Sequence, residues 1–131
     1  MMPDTYLGAL WIPDMLTPSL NVVLRWSRWR RAAEGRDWER AVLCAEALSP
    51  VPECGRERRR VEIGRYGGRL IDADNAAGGA KALVDALRHR GLLFDDSPKW
   101  CDLAPIRSYP AGERGKGMLV QFWRLSAADG G

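Results

Sequence analysis

Within 26 residues of an arginine-rich chain, Asp72-Ala73-Asp74-Asn75 is followed by Lys81, Asp85 and Asp95-Asp96-Ser97. Carboxylates grouped this closely repel one another and are hard to keep ionised together without a cation. Mg²⁺ prefers hard oxygen ligands and meets such a group with suitable chemistry. Arginines elsewhere could then hold a phosphate backbone against the metal. These residue types suit phosphodiester hydrolysis: metal to activate water, metal or lysine to neutralise developing charge, acids to hold the metal.

Such chemistry needs elements that aim the side chains together. In an extended segment, residues i and i+2 face the same way, so a strand over 69–74 would point Asp72 and Asp74 at one cation. Asn75 is placed to cap the following helix or to orient a carboxylate. Lys81 lies far enough along to return toward the same pocket, and Asp95 and Asp96 come back after a helix and a turn. Each feature also has a plainer reading. A lone DxD is a weak signal, Asp95-Asp96-Ser97-Pro98 makes a good turn, and Lys81 with Asp85 fits a solvent-facing i,i+4 pair.

The remaining elements follow from periodicity. Apolar spacing through Trp29, Ala32, Ala33, Trp38, Ala41, Val42, Ala45 and Leu48 predicts a helix over 28–48, weakened at Gly35 and ended by Ser49-Pro50. Alternation about Val61 and Ile63 predicts a strand over 60–66. Leu83, Val84 and Leu87 mark a helix over 80–90, with Gly91 as its C-terminal cap. A short buried segment over 92–94 delivers the acid pair. Residues 100–106 read as a weak strand and 118–125 as a stronger one, while 1–20 form an irregular or strand-like lead-in. Residues 1–10 and 126–131 read as flexible ends. The expected fold is a single α/β (α+β) domain with a small mixed sheet and two main helices.

Composition excludes several alternatives. The 131 residues suffice for one domain with a core, and no apolar run is long enough to span a bilayer. The N-terminus has no basic region before its apolar part, which Pro and Asp interrupt, so it does not read as a secretory signal. Cys44, Cys54 and Cys101 form no CxxC pair and His89 is the only histidine, which argues against a zinc site and a Cys–His or Ser-His-Asp mechanism. Reduced thiols in the cytoplasm are the expectation. Seventeen of the twenty basic residues are arginine, the side chain suited to bidentate phosphate contacts, although a net charge of +3 is modest. Arg25, Arg28, Arg30 and Arg31 interleave with Trp26 and Trp29. Arg58, Arg59 and Arg60, with Arg56 beside them, make a second block, and Arg69 stands ahead of the acids. All but Arg56 are candidate DNA contacts.

The pattern DADN–x₅–K–x₃–DAL followed by DDS resembles the signature of the RusA family of Holliday-junction resolvases, especially its phage and prophage members. Asp72, Asp74, Asn75, Lys81, Asp85, Ala86, Leu87, Gly91, Asp95, Asp96 and Ser97 carry the match. The segment Thr17-Pro18-Ser19-Leu20-Asn21 is similar to a proline-serine-asparagine element of that family. The resemblance spans about residues 10–125. It implies a RusA-like fold and a Mg²⁺-dependent endonuclease resolving four-way junctions, or related branched DNA, by paired nicks in recombination and repair. It further implies a homodimer, metal-binding acids at Asp72, Asp74 and Asp96 with Asp95 as helper, and an essential lysine at Lys81. One departure stands out: Ala76-Ala77-Gly78-Gly79-Ala80 separates the asparagine from the lysine, whereas shorter members leave less. The two glycines would weaken a helix by about 1 kcal/mol each, leaving Lys81 to a loop. A junction-binding prophage protein with little or no cleavage activity is the alternative.

Overall fold

The structure is a computed structural model describing residues 4–126. Alternation about Val61 and Ile63 builds the central strand, β2 (Arg59–Tyr66), whose residues are alternately buried and half-buried along its whole length. Antiparallel to it lies β5 (Gly117–Arg124), with Val61 opposite Phe122 and Ile63 opposite Val120. On the far side of β5 is β1 (Thr5–Pro13), also antiparallel, with Leu10 opposite Val120 and Ile12 opposite Met118. Two short strands, β3 (Cys101–Leu103) and β4 (Arg107–Tyr109), pair parallel with β2. With four helices, α1 (Leu20–Val23), α2 (Arg28–Leu48), α3 (Ala73–Gly79) and α4 (Lys81–His89), the chain is a single α+β domain with a mixed five-stranded sheet.

The core lies on one face of that sheet. Leu10, Ile12, Val61, Ile63, Met118, Val120 and Phe122 are buried there with Trp38, Val42 and Ala45 of α2 and Leu83, Ala86 and Leu87 of α4. Each large side chain so buried contributes about 1.5–3 kcal/mol. Helix α2 has the expected bounds. Ser27 caps it, accepting the Arg30 N–H at 3.1 Å. Its apolar face is shorter than the expected stripe, however, and starts at Trp38, since Trp29 and Leu48 are 78% and 88% exposed. Helix α4 ends as expected, with Gly91 at φ +77°, a conformation that glycine adopts without strain.

Several expectations change. Residues 5–10, expected to be a flexible end, lie in β1, tied to β5 by antiparallel pairing. Residues 69–72 form no strand: the chain turns through Gly67 and Gly68, both at positive φ, and enters α3 at Ala73. The weak strand over 100–106 is only β3. Leu92 and Leu93 are buried as expected, but Phe94 emerges to pack on Trp100, ring centroids 4.5 Å apart. The expected flexibility of 127–131 falls outside the described residues. Among the described residues no helix is long and apolar enough to cross a membrane.

Candidate functional site

Asp72 is the N-cap of α3. Its Oδ1 accepts the Asn75 backbone N–H at 2.9 Å and its Oδ2 accepts Asn75 Nδ2 at 3.0 Å. Of the two roles open to Asn75, it therefore takes the second and holds a carboxylate. Those bonds, the backbone one foremost, keep the Asp72 carboxyl below the usual carboxylate range although it is exposed to solvent. Asp74, also exposed, is the second residue of the helix. The segment is extended only at Asp72 and helical from Ala73, so the strand geometry expected to aim Asp72 and Asp74 the same way is absent.

The departure ahead of Lys81 has a packing reason. A Cβ on Gly79 would stand 1.5 Å from the Pro18 carbonyl oxygen, and one on Gly78 would stand 2.7 Å from Leu20 Cβ. The glycines let α3 lie directly against the Thr17–Leu20 segment, whose Ser19 caps α1 by accepting the Val22 N–H. Lys81 does not hang on a loop: the helix breaks at Ala80, and Lys81 opens α4, which buried Leu83 and Leu87 anchor. Its side chain is 76% exposed and its Nζ lies 3.7 Å from Asp85 Oδ2, the plainer pairing.

Asp95 is half-buried and accepts the Asp96 N–H at 2.9 Å. That bond, with the Ser97 hydroxyl, holds its carboxyl below the usual range. Asp96 is exposed. Among the described residues no three His, Cys, Asp or Glu side chains gather into a group able to hold a metal ion. Asp72, Asp74, Asp95 and Asp96 are thus not drawn together as a preformed set: Asp72 and Asp74 stand at the start of α3, Asp95 and Asp96 in the loop after α4. The donor chemistry still suits Mg²⁺, which keeps several waters and commonly takes one or two carboxylates plus phosphate oxygens. Solvent-facing Asp72 and Asp74 fit that sparser kind of site.

No family model, curated protein or solved structure matches the chain.

The two arginine blocks differ. Arg25, Arg28, Arg30 and Arg31 are exposed around α1 and the start of α2, with Arg30 stacked over Trp26 at 4.6 Å. A groove of about 560 Å³ between these elements and α3–α4 has Trp26 and Arg31 on one wall and Lys81 and Asp85 on the other. Here the tertiary fold joins two motifs 50 residues apart, Arg31 and Lys81. Arg69 is exposed beside α3. The second block is largely structural. Arg59, expected to meet DNA, has no exposed surface and donates to Glu57 (2.7 Å), Leu92 O (3.0 Å) and Glu53 O (3.2 Å). Arg58 Nε donates to Lys99 O, and Arg60 pairs with Glu62.

Arg65 went unremarked in the sequence. Buried at the end of β2, it donates to Thr17 O at 2.9 Å and to Arg69 O at 2.8 Å, joining the segment before α1 to the turn that leads to Asp72. The signal was available: period two places Arg59 and Arg65 on the inward face with Val61 and Ile63. His89, at the exposed end of α4, bonds Glu39. All three cysteines are free, and burial pushes Cys101 up to about 11.

Proposed function

We propose that this chain is a Mg²⁺-dependent endodeoxyribonuclease that nicks branched DNA, four-way junctions foremost, as a cytoplasmic homodimer of the RusA kind that its DADN and DDS motifs resemble. The observation that carries the reading is the clamp on Asp72: two bonds from Asn75 keep an exposed carboxylate ionised, two residues from the exposed Asp74. Bound there, Mg²⁺ would supply an activated water and neutralise charge on the phosphate. Asp72 and Asp74 would hold it, with Asp96, in the loop after α4, as the third acid. Asn75 fixes the Asp72 carboxylate in one orientation. Lys81, freed from Asp85 by a nearby phosphate, contributes positive charge to the transition state. Arg25, Arg28, Arg30 and Arg31 hold the strand that enters the groove beside Lys81.

One observation favours the second reading, a junction-binding protein with little cleavage: the acids are not gathered, and Lys81 is paired with Asp85. Incubation with a synthetic junction, a fork and plain duplex, with Mg²⁺ or with EDTA, separates the two. Nicks in the junction that need Mg²⁺ are expected. Tight junction binding without nicks in any divalent metal would replace this reading with the second.

A further inference from the structure

The loop after α4 carries more than its acids. Phe94-Asp95-Asp96-Ser97-Pro98-Lys99-Trp100 sets two aromatic residues and a lysine about the acid pair. Phe94 leaves the core, 41% exposed, and packs on half-buried Trp100. Arg56 reaches over both rings, 5.7 Å from each centroid, and Lys99 lies 5.4 Å from that of Trp100. Neither cation joins an ion pair among the described residues, although Asp95 and Asp96 are close by in sequence. The backbone behind the rings is fixed. The Trp100 N–H donates to Ser97 O at 2.9 Å, Trp100 O accepts the Arg59 N–H at 3.0 Å, and Arg58 Nε donates to Lys99 O at 2.9 Å.

We infer that Phe94 and Trp100, with Arg56 and Lys99, form a stacking site for an unpaired nucleobase. Every base has a flat π-face, so aromatic side chains hold single strands with little regard to sequence, and arginine adds cation–π contacts. Bases inside a duplex are already stacked on both faces; bases opened at a branch are not. Size chooses a base over a protein partner. Two rings bounded by charges offer room for one flat group, far short of the area of a protein interface. Charge says what supplies the hold. Arg56 and Lys99 are matched by Asp95 and Asp96, so the patch has no net attraction for a polyanion and the rings must provide the affinity. The arginines of α1 and α2 work the other way, by charge. The inference rests on the nuclease reading only for the choice of DNA over RNA; the geometry of the loop chooses the residues.

Fluorescence anisotropy of a labelled oligothymidylate, and of a blunt duplex of equal length, tests this on the full chain in EDTA, where nothing is cut. Wild type is expected to bind the single strand. Phe94→Leu keeps apolar volume but loses the flat face, and is expected to bind it about tenfold more weakly. Its affinity for duplex and its salt slope on the single strand are expected to match wild type. Phe94→Trp is expected to bind the single strand at least as tightly as wild type. Full single-strand affinity in Phe94→Leu overturns the inference. So does an equal loss on duplex or a flattened salt slope, either of which would mark a general or ionic effect, and so does a wild type that binds no single strand. If far-UV circular dichroism shows that Phe94→Leu fails to fold, Arg56→Ala decides in its place, since that side chain is exposed. A severalfold loss on the single strand is then expected, and no loss overturns the inference. The two readings fail separately: single-strand binding that Phe94→Leu weakens, in a protein that nicks no junction, leaves this site and removes only the nuclease. A Mg²⁺-dependent nuclease whose single-strand binding survives Phe94→Leu leaves only the nuclease.

Discussion

Asp72 shows how one side chain can serve two ends. As N-cap it needs only an oxygen acceptor for the Asn75 N–H, which asparagine supplies about as well as aspartate. As metal ligand it needs its charge. Asp72→Asn should therefore keep the fold and lose metal-dependent nicking, with junction binding equal or slightly tighter because a repelling charge is gone. Asp74→Asn and Asp96→Asn should behave alike and Asp95→Asn more mildly; near wild-type nicking by Asp74→Asn in Mg²⁺ would sink the proposed site. Lys81→Ala should lose cleavage while its metal affinity hardly changes. Glu57 makes the matching stability argument. Burial works to raise its pKa, yet the bonds from Arg59 and Arg124 win and leave it below the usual glutamate range. A depressed folded pKa gives stability that is present above the unfolded value and lost as pH falls through the folded one. The melting temperature of Glu57→Gln should lie below wild type at neutral pH and converge with it in acid below the ordinary glutamate range. A gap constant with pH would mean that the carboxylate charge is not what matters. Arg59→Met, which leaves Glu57 without its buried partner, should cost about 3 kcal/mol in denaturant melts.

At the scale of elements, legibility followed periodicity. Helix α2 and strands β2 and β5 were readable because their apolar positions recur at helical or alternating spacing and Pro or Gly marks their ends. The stretch 69–74 was misread because its own pattern is ambiguous between strand and cap, and the deciding contacts are tertiary: Arg65 pins Arg69 O, and Asn75 folds back on Asp72. The glycines before Lys81 were misread for the same reason. As helix residues they are weak, and only the approach of Pro18 explains them. A paired substitution tests that account. Gly35 lies inside α2 with nothing within 4 Å of where a Cβ would stand, so Gly35→Ala should gain about 0.5–1 kcal/mol. Gly79→Ala would drive a methyl into the Pro18 carbonyl and should lose at least about 2 kcal/mol. Equal melting temperatures for the two variants would remove the packing role given to Gly79.

The whole molecule separates its charges by side. The sheet face turned away from the helices carries Arg60 and Arg107 beside Glu62 and Asp102, whereas Arg31 and Arg36 line the groove that holds Lys81 and Arg25, Arg28 and Arg30 are exposed between α1 and the first turn of α2. A chain of net charge +3 has little general attraction for DNA, so binding strength must come from that local concentration. Each phosphate contact releases counterions, and the slope of log K against log salt is about −0.9 per contact on duplex DNA. Arg28→Ala with Arg30→Ala should therefore weaken junction binding and flatten that slope by about 2. Arg59 is buried, so it makes no such contact, and a folded Arg59→Lys protein should keep the wild-type slope. The measurement is junction affinity by fluorescence anisotropy over a series of salt concentrations. A slope unchanged in the double variant would move the DNA to another surface. The groove beside Lys81 would then be left with Arg31 and Arg36, the two arginines that line it, as its only arginine hold on a phosphate backbone among the described residues.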